Sequence, residues 1–224
     1  MIEAANVTRT YATPGEDVHV LQGLDFSLAD GAAAAIVGPS GSGKTTLLNL
    51  LGALDRPTGG SIEIGGQDIS GFSEEEASAF RNRELGFVFQ QHYLLPQLNV
   101  LENVMLPRLA GGWEESAGDT EARAVDLLEN VGLGARLNHL PYQLSGGEKL
   151  RTAVARALVN QPKLVLADEP TGSLDPKTTE TVAEMFLDLN REAGVTLVMV
   201  THNEALATRV GKVFRLKDGR LLES

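Results

Sequence analysis

Apolar residues along the chain follow two spacings, and segments with each spacing alternate. Alternating apolar and polar positions predict amphipathic strands at residues 2–8 and 18–28. Short apolar runs predict further strands at 32–37, 61–64, 85–89, 164–167 and 195–200. Apolar positions three or four residues apart predict helices at 45–53, 148–158, 176–192 and 204–209. Strands that alternate with helices indicate an α/β fold, with a sheet flanked by helices.

The pattern changes between residues 90 and 144, where helical spacing dominates and β-branched runs are few. Helices are predicted at 100–109 and 121–131, interrupted by Gly111-Gly112 and by Gly132. We interpret approximately residues 91–144 as a helical subdomain inserted between strands of the core, within a single domain over 1–224. The only tryptophan, Trp113, is expected in an exposed loop.

The 224 residues include 19 Lys and Arg against 30 Asp and Glu, a formal net charge of −11, and no Cys. The absence of Cys excludes disulfides, iron–sulfur clusters and zinc sites with Cys ligands. The negative charge argues against a nucleic-acid partner, because binding to phosphate backbones uses Lys and Arg. No apolar run approaches the ~20 residues that cross a bilayer, and no secretory signal is visible. We therefore expect an intracellular protein without direct membrane insertion.

Residues 38–45, with the sequence GPSGSGKT, fit the pattern G-x-x-x-x-G-K-[ST] between a predicted buried strand and a predicted helix. Glycines allow backbone N–H groups to surround phosphates, and the helix N-terminus adds partial positive charge. A Gly- and Ser-rich turn is the alternative, but the strand–loop–helix context favours a cradle for the phosphates of a nucleotide. Lys44 would bridge the terminal phosphates, and the Thr45 hydroxyl would bind Mg²⁺. The predicted ATP-binding residues of this cradle are Gly38, Pro39, Ser40, Gly41, Ser42, Gly43, Lys44, Thr45 and Thr46.

Two acids, Asp168 and Glu169, follow the predicted buried strand 164–167. A parallel strand brings its C-terminal residues to the edge of an α/β sheet where ligands bind. Since adjacent residues of a strand point to opposite sides, the two carboxylates can have different roles. Asp168 would hold Mg²⁺ through water, and Glu169 would polarise the attacking water as the catalytic base. A solvated turn is the alternative, which the neighbouring cradle disfavours.

Residues 145–148, with the sequence SGGE, precede a predicted helix. Ser145 and Glu148 have capping-box spacing, and the two glycines leave backbone N–H groups open to a ligand. From spacing alone, a simple helix cap is the favoured interpretation. However, LSGGE at 144–148 with ARAL at 155–158 resembles the signature of ATP-binding-cassette (ABC) ATPases. The motifs cover essentially the whole chain in the family's order, and the chain is identified as a member.

The resemblance assigns roles to four further residues. Tyr11 resembles the aromatic residue that stacks on adenine, and His202 resembles the histidine that contacts the γ-phosphate. Gln90 resembles the glutamine that contacts Mg²⁺ and the attacking water and senses the membrane partner. Asp175 resembles a residue of the loop that crosses between subunits. Without the resemblance, Tyr11 would be a packing residue, Gln90 and His202 polar surface residues, and Asp175 a helix N-cap before a proline.

Family membership implies a P-loop NTPase core with a mixed sheet, an antiparallel β subdomain and the inserted helical subdomain. It also implies ATP and Mg²⁺ as cofactors and a homodimer that forms on ATP binding. In that dimer the signature segment of one subunit closes over the γ-phosphate held by the other; its residues are Ser145, Gly146, Gly147 and Glu148. The implied catalytic residues are Glu169, His202, Lys44 and Gln90, and the metal ligands are Thr45, Gln90 and Asp168.

Several strings, among them GALDRPT at 52–58 and ADEPTGSLD at 167–175, are similar to the branch that serves lipoprotein release and macrolide export. The resemblance implies integral membrane subunits as separate partners and a peripheral location on the cytoplasmic face of the inner membrane. Their docking surface is expected beside Gln90, with Tyr93, Leu94, Leu95 and Pro96 at its rim. Packing of the subdomain is an equal alternative for these four residues. Alternative functions are a cell-division cassette or a soluble cassette of iron–sulfur assembly or DNA repair.

Overall fold

The computed structural model describes residues 1–111, 116–172 and 176–223, which form ten strands and seven α-helices. Trp113 lies outside these residues. The strands are β1 (Ile2–Ala12), β2 (Asp17–Leu28), β3 (Ala33–Val37), β4 (Gly59–Ile64), β5 (Gln67–Asp68), β6 (Leu85–Phe89), β7 (Leu164–Asp168), β8 (Thr196–Val200), β9 (Lys212–Lys217) and β10 (Arg220–Glu223). The helices are α1 (Lys44–Leu51), α2 (Glu74–Glu84), α3 (Val100–Ala110), α4 (Ala117–Asn130), α5 (Gly146–Leu158), α6 (Pro176–Ala193) and α7 (Glu204–Val210).

The larger sheet has the strand order β10-β9-β3-β8-β7-β6. Every pair from β9 to β6 is parallel, whereas β9 and β10 form an antiparallel hairpin. At its turn Asp218 and Gly219 have φ angles of 49° and 71°, and positive values at both positions are what a type I′ turn requires. Because β3, β6, β7 and β8 run parallel to one another, their C-terminal ends lie at one edge of the sheet.

The smaller sheet is antiparallel, with the order β2-β1-β4-β5. Helix α1 lies between the two sheets, and its four leucines, each at most 1% exposed, share a core with Ile2 of β1 and Ile36 of β3. Helices α5, α6 and α7 cover the opposite face of the larger sheet. The predicted α/β fold, with a mixed sheet and an antiparallel subdomain, is confirmed.

Helices α3, α4 and α5 pack around a third core, in which Val104, Leu128 and Ala155 are fully buried. Helices α3 and α4 fall within the predicted helical subdomain, whereas Ala155 belongs to α5, which also covers the larger sheet. The subdomain and the sheet therefore share one helix. The subdomain bounds 91–144 stay a prediction.

Strand β1 is longer than the predicted segment 2–8. Its ladder with β2 continues to the pair Ala12 and Asp17, and Asp17 is the first residue of β2. Tyr11 therefore lies inside the strand, opposite Val18, rather than after it. Hydrogen bonding to a neighbouring strand extends β1 through residues whose own pattern does not indicate a strand.

Candidate nucleotide site

The cradle 38–45 joins the end of β3 to the start of α1, and its glycines are required by the backbone. Gly41 and Gly43 have φ angles of 78° and 98°, in the region that favours glycine. A Cβ at Gly43 would lie 2.9 Å from Val20 Cγ1, and a Cβ at Gly38 would lie 2.3 Å from the Leu216 carbonyl oxygen. Larger residues at these positions would force the loop away from the neighbouring strands.

Two polar side chains of the cradle are suited to phosphate oxygens. Lys44 is 9% exposed, and its Nζ donates to the carbonyl oxygens of Gly38 and Pro39, at 3.0 Å each. Ser42 Oγ is buried and has no hydrogen-bond partner within the described part of the chain. A buried hydroxyl without a partner is costly. An entering phosphate would supply that partner and would give the Lys44 ammonium an anionic acceptor in place of the two neutral carbonyl oxygens.

The strand ends bring the predicted acids to the cradle. Asp168, the last residue of β7, pairs with Phe89 of β6 and Val200 of β8. Gln90 and Thr201, which follow these two strands, therefore lie at the same edge of the sheet as Asp168. Thr45 Oγ1 donates to Asp168 Oδ2 at 3.2 Å. Burial raises the pKa of Asp168 above its usual range, and Glu169 adds to the rise, whereas the Thr45 hydroxyl and Lys44 oppose it.

Glu169 and His202 form a contact that the sequence does not predict. Glu169 has a φ angle of 45°, and its backbone N–H donates to the Val200 carbonyl oxygen at 2.9 Å. Glu169 Oε2 accepts hydrogen bonds from the backbone N–H of His202 at 3.2 Å and from its Nδ1 at 2.7 Å. The carboxylate is therefore held in one place by a residue from the neighbouring strand end.

These residues surround one cavity of about 430 Å³. Its lining consists of Val20, Ser40, Gly41, Gly43, Lys44, Thr45, Thr46, Gln90, Glu169, Val200 and His202. Six of the nine predicted cradle residues and all four predicted catalytic residues thus meet at a single place. Tyr11 is not part of the lining. Asp175 lies outside the described residues.

The signature segment is not part of this lining either. Ser145 caps α5: its Oγ accepts from the Glu148 N–H at 3.2 Å, and Glu148 Oε2 accepts from the Ser145 N–H at 2.8 Å. The Ser145 N–H and Arg136, whose Nε lies 3.0 Å from Glu148 Oε1, lower the pKa of Glu148 to about 2. The predicted capping box is therefore present. Ser145 and Gly146 are exposed, and one chain carries two separate glycine-rich helix starts.

Arg156 of α5 holds the turn that follows Gln90, a role that sequence reasoning missed. His92 and Tyr93 have φ angles of 61° and 45°, which are strained for residues other than glycine. The Arg156 guanidinium donates to both of their carbonyl oxygens, at 2.6 Å and 2.7 Å. Since 63 residues separate Arg156 from Tyr93, no local pattern could have indicated this contact. These two hydrogen bonds connect α5, the helix that begins with the signature segment, to the loop that follows Gln90.

At neutral pH the Asp168→Asn variant, without nucleotide, is expected to unfold at a higher temperature than the wild type. Because folding raises the pKa of Asp168, the folded state loses stability as the pH rises from the unfolded-state pKa, near 3.8, through the folded-state value. Asn avoids that loss and still accepts the Thr45 hydroxyl. The gain in melting temperature should shrink as the pH falls toward about 4. A less stable variant at neutral pH would contradict this.

Known proteins resemble this chain over most of its length. The family model described as ABC transporter matches residues 21–172. The lipoprotein-releasing system ATP-binding protein LolD 1 of Rhodopirellula baltica is 50% identical over 222 residues, covering 99% of this chain and 96% of the relative. LolD of Xanthomonas campestris pv. campestris is 51% identical over 223 residues, covering 100% of this chain and 92% of the relative.

A solved structure has the same fold. The ATP-binding cassette MJ0796, in a dimeric post-hydrolysis state bound to ADP and Pi, superposes with a TM-score of 0.92. It is 40% identical in sequence, and the match covers 100% of this chain and 98% of that one. The chain belongs to the ABC transporter family, and its fold is that of the family's ATPase cassette.

Proposed function

We propose that this chain is the ATP-hydrolysing subunit of an ABC transporter that drives the release of lipoproteins from a membrane. Relatives named lipoprotein-releasing system ATP-binding proteins, 50% and 51% identical over nearly the full chain, support the assignment. The observation that supports ATP hydrolysis is the cavity in which the cradle, Gln90, Glu169 and His202 meet. Positioned phosphate ligands beside a carboxylate are what hydrolysis of a triphosphate requires.

In this proposal the cradle positions the triphosphate. Backbone N–H groups of residues 38–45 surround the β- and γ-phosphates, and the start of α1 adds partial positive charge. Lys44, Thr45 and Thr46 contribute side chains from the first turn of α1. Mg²⁺, when bound with ATP, neutralises charge on the phosphate oxygens. The Thr45 hydroxyl and the Asp168 carboxylate, 3.2 Å apart, fit its preference for oxygen ligands, and Gln90 is the proposed third ligand.

Glu169 is the proposed catalytic base. Its carboxylate takes the proton of the attacking water as the water oxygen bonds to the γ-phosphorus and ADP leaves. His202 orients this carboxylate through its backbone and side-chain N–H groups, and it contacts the γ-phosphate in the closed state. Gln90, which lines the same cavity, orients the water. Lys44 stabilises the charge that develops on the γ-phosphoryl oxygens.

The signature segment acts in trans. Ser145, Gly146, Gly147 and Glu148 lie at the start of α5, away from the chain's own cradle, and Ser145 and Gly146 are exposed, so the segment can close over ATP in the cradle of a second copy. Two such copies form a two-fold dimer with two ATP molecules inside. The dimeric cassette MJ0796 supports this arrangement. In the dimer, Asp175 lies in the loop that crosses between subunits, and Tyr11 stacks on adenine.

An integral membrane subunit is the proposed partner. In the part of the chain that the structure describes, no helix has the length and apolarity to cross a bilayer. A groove of about 400 Å³ beside the Gln90 loop is lined in part by Phe87, Phe89 and Tyr93. Tyr93, 60% exposed, packs edge-on against Phe89. We assign this groove, with Leu94, Leu95 and Pro96 next to it, to a segment of the partner on the cytoplasmic face of the membrane.

The test is purification of the tagged chain from detergent-solubilised membranes of its own cells, followed by reconstitution into vesicles that carry a lipoprotein. We expect an integral membrane subunit in the complex and ATP-dependent release of the lipoprotein from the vesicles. A complex that exports a macrolide and releases no lipoprotein would favour the exporter function. Recovery without any membrane subunit would favour a soluble cassette.

Salt is expected to strengthen closure of the dimer. Each chain carries a net charge of −11, so two copies repel each other when they approach. Counterions screen this repulsion, with a Debye length that falls from about 10 Å at 0.1 M to about 3 Å at 1 M. With a non-hydrolysable ATP analogue, light scattering should show a larger dimer fraction at high salt than at low salt. A smaller fraction at high salt would mean that attractive charge pairs dominate the interface.

A further inference from the structure

Tyr11 belongs to a three-residue network, made of Arg9, Tyr11 and Asp55, outside the lining of the nucleotide cavity. The Tyr11 hydroxyl donates to Asp55 Oδ2 at 2.8 Å, and Arg9 Nη2 lies 2.8 Å from Asp55 Oδ1. The Arg9 guanidinium carbon is 4.3 Å from the centre of the Tyr11 ring, within the range of a cation–π contact. The Arg9 and Asp55 side chains are 21% and 23% exposed, so most of this network is shielded from solvent.

The network connects the antiparallel sheet to the cradle helix. Arg9 and Tyr11 are two residues apart on β1 and share one face of the strand. Tyr11 pairs with Val18 of β2, the strand that contributes Val20 to the cavity lining. Asp55 follows α1, and its backbone N–H donates to the carbonyl oxygen of Asn49 in that helix at 3.3 Å. The Tyr11 ring is thus tied to the far end of the helix that begins with the phosphate ligands.

We infer that Arg9 and Asp55 are positioning residues for recognition of the base, which hold the Tyr11 ring so that its face opposite Arg9 stacks on adenine. This rests on the proposed function, in which Tyr11 contacts the base of ATP. Asp55 fixes the hydroxyl end of the ring, and Arg9 covers one of its two faces. A side chain that is held before ligand binding loses less conformational freedom on binding, and affinity rises for that reason.

The experiment compares Mg-ATP with inorganic tripolyphosphate, which shares the phosphates and lacks the base. In titration calorimetry on the full chain, Arg9→Gln and Asp55→Ala are expected to weaken ATP binding about fivefold and to leave tripolyphosphate binding unchanged. Arg56→Gln removes an exposed charge next to Asp55 and is the matched control, expected to change neither. Equal weakening of both ligands, or of neither, by Arg9→Gln overturns the inference.

A double-mutant cycle with Tyr11→Ala tests whether Arg9 acts through the ring. In the Tyr11→Ala background, Arg9→Gln should cause no further loss of ATP affinity. The same loss with and without the ring would show that Arg9 acts elsewhere, and the inference would be wrong. If Tyr11→Ala itself leaves ATP affinity unchanged, Tyr11 does not stack on adenine and the inference is wrong. The proposed ATP site at the cradle is not affected by that result. If the wild type binds neither ligand, the proposed function fails.

Discussion

Replacing Glu169 by Gln is expected to lower kcat for ATP hydrolysis about a thousandfold, with ATP affinity close to that of the wild type. The amide has the same size as the carboxylate, and its oxygen can still accept the hydrogen bonds from His202. It cannot take a proton from the attacking water. Because the cradle is unchanged, ATP binds but is not consumed. Phosphate release and equilibrium binding of labelled ATP measure the two effects separately.

Two further measurements make this expectation specific. With ATP the Glu169→Gln variant should elute as a dimer in size-exclusion chromatography, since the closed state is no longer ended by hydrolysis. Lys44→Ala is the contrasting control: it removes the ammonium from the cradle and should lose ATP binding, and therefore the dimer as well. Full turnover by Glu169→Gln would show that another group takes the proton.

The parts of the site that lie on one short segment could be predicted from the sequence. Residues 38–45 combine glycines, a lysine and a hydroxyl in a row, and the strand, loop and helix of the structure occur where the pattern places them. Ser145 and Glu148 are three residues apart, and the reciprocal hydrogen bonds of the capping box follow from that spacing. Such features depend on a few neighbouring residues, and for this reason a local pattern reveals them.

Contacts between distant segments could not be predicted in the same way. Glu169 and His202 are 33 residues apart, and they meet because β7 and β8 are neighbours in the sheet. Arg156 reaches the turn after Gln90 only because α5 packs beside β6. The sequence shows which residue types follow each predicted strand. Strand order decides which of them touch, and it depends on the packing of the whole core.

Replacing Ser145 by Asp is expected to lower ATP hydrolysis about a hundredfold without loss of the helix that it caps. Asp is as good an N-cap as Ser and can accept the hydrogen bond from the Glu148 N–H. Since Ser145 is exposed and lies away from the cavity, the chain's own cradle is unaffected. Placed against the γ-phosphate of ATP bound by the partner, however, the added carboxylate repels it. Ser145→Asn keeps the cap without the charge and serves as the control, with an unchanged melting temperature in both variants.

Mixing the two inactive variants distinguishes a site shared between copies from a site within one chain. In a mixed dimer, the Ser145→Asp copy supplies an intact Glu169 and the Glu169→Gln copy supplies an intact Ser145. These two residues meet in one of the two sites, which is therefore complete. The other site has neither, although its cradle still binds ATP. On mixing, hydrolysis should therefore rise with the fraction of mixed dimers, well above the residual rate of either variant alone. If cross-linking shows mixed dimers but hydrolysis does not recover at any ratio, Ser145 and Glu169 act in a site of the same copy. In that case each copy of a mixed dimer carries one defect, and neither site is complete.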